Sequence, residues 1–272
     1  MFEWFARLAF LVLLCPALAA GAETDVAALL RQADLYRRPA GPVRVETEVR
    51  QYRNGALDKE RLYTVYAKPG RRSLVLMKSP SEIGQKVLML GEKFWLLTPD
   101  SQRPLRITAN QKLLGEASTG DIATMTWSED YRGELVGEVD CPGFSAATVA
   151  TAAAESDSFG SAAVSREKVC LRLRLTAAAP GVTYANVDLF LGKESKVPVK
   201  ADLFVDSGKR AKEAWYLEDE QDGGKRIMAM LLIDDIQTTR RTVVRYKSME
   251  AKECPDEFFN PAALVRNALP GW

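Results

Sequence analysis

The sequence predicts a mainly β protein, an antiparallel meander of about eleven strands that curls strongly or closes on itself. Three observations predict it. Apolar residues recur with period two from residue 43 onward: Val43, Val45, Thr47 and Val49 alternate with Arg44, Glu46, Glu48 and Arg50. Turn signals, beginning with Asn54-Gly55, punctuate the runs. The strands are short and joined by close hairpins, which implies a meander and not βαβ units.

Ahead of the strands, Thr24 or Asp25 can cap a helix carrying Val26, Leu29, Leu30, Ala33 and Tyr36 at helical spacing. Pro39-Ala40-Gly41-Pro42 stops it. Strands follow the first hairpin at 62–67, 73–78, 85–90, 94–97 and 105–108. Pro69-Gly70, Pro80 with Gly84, and Pro99-Asp100-Ser101 separate them. Residues 109–132 lose the alternation and read as short helices and loop packed across a sheet. Strands resume at 133 and continue to 249, through turns such as Gly192-Lys193-Glu194-Ser195, Asp206-Ser207-Gly208 and Asp222-Gly223-Gly224. Residues 145–165 are rich in Ala, Ser and Thr, with Phe159 the single aromatic. They bury too little to order themselves and read as a flexible insertion, the alternative being a short Ala-rich lid helix.

The first residues bear on compartment. Glu3 and Arg7 precede an apolar run, Leu8 to Leu14, which Pro16 ends; Ala17-Leu18-Ala19 and Ala20-Gly21-Ala22 offer small-x-small exits. This describes a secretory signal peptide over 1–22, with residues 23–272 left as a single exported domain of periplasmic type. The apolar run is short of the roughly 20 residues a spanning helix needs. Cys15 is preceded by Leu14, where a lipoprotein site would carry a small residue.

Composition limits the chemistry. Lys plus Arg number 37 against 36 Asp plus Glu, so no strong field points to nucleic acid. The chain contains no His, which removes the commonest general base and metal ligand together. No catalytic residue, metal site or cofactor is assigned. The Asp234-Asp235 and Glu218-Asp219-Glu220 runs read as solvated strand ends, because strand neighbours point to opposite faces. Past the signal the cysteines are Cys141, Cys170 and Cys254. Cys141 and Cys170 come close if their strands pair as a hairpin, either as a disulfide or as two separate buried thiols; Cys254 is then the unpaired thiol.

Apolar surplus points to a ligand. Leu74 to Met77, Val87 to Leu90, Phe94 to Leu97 and Ile227 to Ile233 place apolar residues on both faces of the sheet. Helices, a partner or an apolar ligand must cover the second face. By residue type and position, the candidate lining is Met77, Met89, Trp95, Met125, Trp127, Phe190, Phe204, Trp215, Met228 and Met230. Ordinary core is the alternative for each.

The chain resembles the outer-membrane lipoprotein-sorting (LolA-like) family. One part of the likeness is Pro80…Gly84-Gln85-Lys86-Val87-Leu88…Phe94-Trp95-Leu96-Leu97-Thr98-Pro99…Arg103…Arg106-Ile107, then Leu114-Gly115…Gly120-Asp121-Ile122. The other is Tyr184-Ala185-Asn186-Val187-Asp188-Leu189-Phe190-Leu191…Val197-Pro198-Val199-Lys200-Ala201…Asp206-Ser207-Gly208-Lys209, then Thr242 and Pro255-Asp256-Glu257-Phe258-Phe259-Asn260-Pro261…Leu264. The resemblance implies an unclosed half-barrel with helices lidding its concave apolar face. It also implies a periplasmic carrier of lipoprotein acyl chains or lipid. Its partners would be an inner-membrane transporter or exporter and an outer-membrane acceptor. Some relatives accompany resistance-nodulation-type lipid exporters, and others of this fold are stress sensors. The 145–165 insertion is longer than the family pattern.

Overall fold

One helix opens the described chain: α1 (Val26–Arg37), with Asp25 as its N-cap accepting the Ala28 N–H at 3.1 Å. The computed structural model describes residues 25–100, 103–123, 126–143, 162–221, 223–237 and 239–265. The proposed signal peptide, Met125 and most of the 145–165 insertion lie outside these residues.

Two local meanders follow α1. The first is β1 (Val43–Arg53), β2 (Ala56–Lys68), β3 (Arg72–Met77), β4 (Lys86–Leu90), β5 (Lys93–Leu97) and β6 (Leu105–Ile107). The second is β9 (Tyr131–Asp140), β11 (Val169–Ala177), β12 (Asn186–Gly192), β13 (Pro198–Phe204), β14 (Arg210–Gln221), β15 (Gly224–Asp234) and β16 (Arg240–Ala251). Every pairing is antiparallel, and β1 pairs β16 to fuse the meanders into one sheet in the order β6-β5-β4-β3-β2-β1-β16-β15-β14-β13-β12-β11-β9. The sheet ends at β6 and β9 and does not close. About eleven strands are expected from the sequence; thirteen run in this order, the strand read at 105–108 being β6. The Asn54-Gly55 turn joins β1 to β2 through two residues, Arg53 facing Ala56, with φ of 52° and 79°. This matches the type I′ geometry that suits twisted strands.

The connection from β6 to β9 crosses the inner face of the sheet. Where loop and short helices were expected, residues 109–123 form a small hairpin, β7 (Lys112–Leu114) and β8 (Ala117–Ser118), and a single helix, α2 (Thr119–Ala123). The hairpin turns at Gly115 (φ 56°), where a side chain would strike the Thr242 hydroxyl at 2.3 Å. The second correction concerns the insertion: its end forms β10 (Ala163–Val164), which pairs β14, because Ala162 and Val164 find apolar cover on the outer face.

Strand alternation sorts the core. The inner cluster joins Val45, Val65, Val75, Val87 and Phe94 of the first meander to Leu173, Leu189, Ala214, Met230 and Val244 of the second, with Leu29, Leu30 and Ala33 of α1 and Ile122 of α2. Strands near both ends of the sheet share this one cluster, so the sheet is curled around it. Two outer clusters have separate covers. Leu74, Leu76, Leu88 and Leu97 lie under a C-terminal strap made of a 3₁₀ turn (Asp256–Phe259) and α3 (Pro261–Val265), through Phe258, Phe259 and Leu264. Trp215, Leu217, Leu231 and Val243 lie against Ala162 and Val164. Among the described residues no helix is long and apolar enough to cross a membrane.

Candidate ligand-binding site

A row of directly paired residues crosses the inner face: Val45, Val65, Val75, Val87, Leu96 and Leu105. Alternation places all six on one face. The first four are buried and Leu96 is half-buried, while Leu105 at the open edge is 62% exposed. The apolar interior therefore runs out to solvent beside β6.

The cover over this interior has two pieces. Helix α1 packs on β15 and β9 through its apolar side, and Asp34 fastens it by accepting the N–H groups of Trp127 (2.6 Å) and Ser128 (2.9 Å). Burial raises the Asp34 carboxyl above its ordinary range, while these bonds favour its charge. The Arg37 guanidinium, at the end of α1, is buried 4.3 Å from the Trp127 ring centroid and 5.8 Å from that of Tyr216, and meets the Tyr246 hydroxyl.

The second piece, the 109–123 flap, buries Leu114, Ala117 and Ile122 in the inner cluster and is pinned there by polar groups. Asp121 accepts from the Ser118 N–H and hydroxyl (2.8 Å each), the Tyr184 hydroxyl (2.8 Å) and the Lys212 ammonium of β14 (2.9 Å). Lys212 also donates to the Glu116 carbonyl, and the Glu116 N–H donates to Thr242 at 2.8 Å. Burial alone would raise the Asp121 carboxyl, but Lys212 and these donors hold it below the usual range.

Residues 129 and 130, just ahead of β9, are tied to the β2–β3 turn. Glu129 accepts the N–H groups of Gly70 (3.2 Å) and Arg71 (3.1 Å), and Arg71 donates to Asp130 at 2.6 Å. Burial pushes the Asp130 carboxyl up to about 6 despite Arg71, with Glu129 and Asp34 adding repulsion.

The expected lining residues divide between the faces. Met77, Met89, Trp127 and Met230 belong to the inner cluster, and Trp127 stacks edge-on against Tyr216 with centroids 5.4 Å apart. Met228 sits at a β-bulge, skipped where Leu217 faces Ala229 and Glu218 faces Ile227, and so touches both inner and outer clusters. Trp95 and Trp215 belong to the outer clusters, and Phe190 points outward because Leu189 and Leu191 point in. Phe204 is half-buried beside a register shift between β13 and β14 and joins neither face's cluster. The buried polar groups Arg37, Asp121, Asp130 and Lys212 were not anticipated; the only signal for them was a charge placed within an otherwise helical or strand-like apolar pattern.

Beneath α1, the cavity lined by Arg37, Asp121, Trp127, Tyr184, Tyr216 and Met230 measures about 40 Å³, room for little more than water. Cys141 and Cys170 form a disulfide across β9 and β11, diagonal in register because Cys170 faces Val139. Cys254 is a buried free thiol under the strap, its ionisation opposed by burial. Asp234 caps the β15–β16 turn and Asp235 pairs Arg210 at 2.7 Å. Among the described residues no group of three or more His, Cys, Asp or Glu is placed to hold a metal ion.

No curated protein sequence matches the chain. Solved structures do. A LolA superfamily protein from Nitrosomonas europaea is 25% identical, with a TM-score of 0.70 over 86% of this chain and 96% of that one. A DUF1329 family protein from Desulfovibrio piger (18% identity, TM-score 0.64, 88% and 96% covered) shares the fold. So does a chain described as an outer membrane lipoprotein-sorting protein domain from Vibrio parahaemolyticus (15%, 0.62, 88% and 98%). A family model described as that of an uncharacterized protein matches residues 70–266. The chain belongs to that family, and its fold is that of the LolA superfamily.

Proposed function

We propose that this chain is an exported periplasmic carrier without catalytic activity. It would hold acyl chains of lipoproteins or lipids between the inner face of the sheet and its cover, and pass them toward the outer membrane. The observation that carries this reading is the inner face itself: apolar nearly from edge to edge, open beside Leu105, and covered by two separately fastened pieces. Each methylene moved from water onto such a face gains about 0.8 kcal/mol, and transfer to a more apolar acceptor would release it. Ligand sites usually enclose roughly 300–1,000 Å³. The interior described here is closed down to about 40 Å³, so uptake needs α1 or the flap to move outward.

Native mass spectrometry of protein purified without delipidation tests the reading. Masses of one or more bound lipids are expected; a uniformly bare protein that also rejects a fluorescent fatty acid would remove it. The filled interior favours a second reading, a periplasmic interaction or sensor module of the same fold, or an accessory subunit of a lipid exporter. Recovery of one stable membrane-protein partner with no lipid would select that reading.

A further inference from the structure

Five of the large apolar side chains most exposed in this protein, Leu57, Leu62, Ile83, Leu105 and Ile236, fall in the half of the sheet built from β15, β16 and β1–β6. Four of them stand at or beside turns. Leu57 follows the β1–β2 turn, Ile83 lies in the β3–β4 loop, Leu105 opens β6 after the β5–β6 loop, and Ile236 lies in the β15–β16 turn. Because the strands alternate in direction, all four connections lie at the same end of the sheet. Following the strand order, their sequence is Leu105, Ile83, Leu57, Ile236, one for each successive hairpin. Across the strands, hairpins two strands apart are separated by about 10 Å; along them the tips are staggered, Leu57 lying eight residues from Val65, which shares a paired row with Leu105. The last two are linked directly, the Asn54 N–H donating to the Thr239 carbonyl at 3.0 Å.

Nothing in the fold requires these side chains to be apolar. They are 53%, 64%, 62% and 71% exposed for Leu57, Ile83, Leu105 and Ile236. The polar side chains around them set the charge. Asp58, Glu82 and Asp235 are engaged by Arg53, Arg61 and Arg210. Lys59, Lys78, Arg103 and Arg106 are exposed in the same turns and strand ends, with Asp100 an exposed acid among them. Arg106 stands 4.8 Å over the Trp95 ring, giving that edge an amphipathic cation–aromatic pair.

We propose that this rim of hairpin tips docks on an anionic lipid surface, the four aliphatic side chains entering the headgroup region and the basic residues lying against the phosphates. Isolated aliphatic fingers on separate turns suit a deformable surface. A protein partner would instead need four matching pockets, and protein interfaces concentrate their energy in a central aromatic or arginine cluster. Apolar insertion combined with electrostatic attraction is how peripheral proteins reach bilayers. The flap reaches the same end of the sheet, through Gly115 beside Gln51 and Thr242 and Lys112 beside Asp234, so docking would bring the cover to the membrane.

Vesicle co-sedimentation of the full chain tests this, using vesicles of phosphatidylglycerol with phosphatidylethanolamine against phosphatidylcholine alone. Binding to the anionic vesicles is expected, weakened several-fold by high salt. Single changes Leu57→Ser, Ile83→Ser, Leu105→Ser and Ile236→Ser should each weaken it by about fivefold, and the quadruple variant should lose it. These positions are exposed, so an unchanged melting temperature and circular dichroism spectrum will show that the fold survives. No binding to anionic vesicles, or equal binding by the quadruple variant, overturns the proposal; a protein partner that the quadruple variant loses while vesicles are ignored does so too. Native mass spectrometry of the triple variant Leu57→Ser, Ile83→Ser, Ile236→Ser, which leaves Leu105 of the inner face intact, separates this from the carrier reading: bound lipid retained while vesicle binding is lost leaves the carrier reading intact.

Discussion

Asp130 is 1% exposed, and its carboxyl titrates near 6 because burial outweighs the adjacent Arg71. A carboxyl raised in the folded state favours folding below its unfolded value and loses that advantage as pH rises through the folded one. Between pH 4 and 6, Asp130 therefore costs stability as pH rises, whereas Asp121, whose folded value is lowered, contributes fully above about pH 4 and loses its contribution only in more acid solution. Asp130→Asn should gain more stability between pH 4 and 7 than the parent does, by on the order of 3 kcal/mol. Urea titrations at several pH values would measure the slopes; equal slopes would refute the assignment. The Lys212–Asp121 pair gives a second expectation. Lys212→Met leaves a buried uncompensated carboxylate and should cost about 3–5 kcal/mol, whereas adding Asp121→Asn should restore much of the loss. A double variant no more stable than the single one would show that the pair is not coupled.

At the scale of elements, β9 is an edge strand that keeps β11 on one side only and carries a register shift beside Gly137 (φ 149°). Such an irregularity discourages another chain from adding to a bare edge. The disulfide anchors the end of this strand, closing a loop with a sequence separation of 29. Replacing Cys141 and Cys170 together by Ser should lower stability by about 3–4 kcal/mol in the chain-entropy description, read as a lower urea midpoint. The parent under reducing conditions should match the double variant; a parent indifferent to reductant would contradict the expectation. The C-terminal strap is the other dependent element. Phe258 and Phe259 shield Leu74, Leu76 and Leu88, with Phe258 edge-on to Tyr66 at 5.1 Å. Phe258→Ala should cost about 3 kcal/mol and expose the outer face to an apolar dye; an unchanged urea midpoint would show that the strap does not shield that face.

For the whole molecule, period-two alternation, the Asn54-Gly55 turn and the Asp25 cap made the helix, most strands and the antiparallel meander legible. The consecutive apolar runs correctly implied that both faces are covered. What covers them was not legible, because Phe258, Phe259 and Leu264 lie far in sequence from Leu74 and Leu88, and no local period links them. The lining residues were only partly legible for a different reason. A one-residue bulge reverses every later side chain on a strand, and neither the skipped Met228 nor the shift beside Phe204 carries a local sequence mark. Aromatic type then misdirected: Trp95 and Trp215 are large and apolar, yet both face outward.

The pairing of β1 with β16 also orders events in time. Residues 43–53 meet residues 240–251, so the middle of the sheet is its most distant contact along the chain. Each meander can form from neighbours as it emerges, but the join waits for nearly the last strand. Until then β1 has β2 on one side and a bare edge on the other, the part of the newborn protein most open to wrong pairing. A chaperone acting before the join forms would do most for this protein by holding that edge, and a chain truncated before residue 240 should aggregate through it, not remain as a smaller folded sheet.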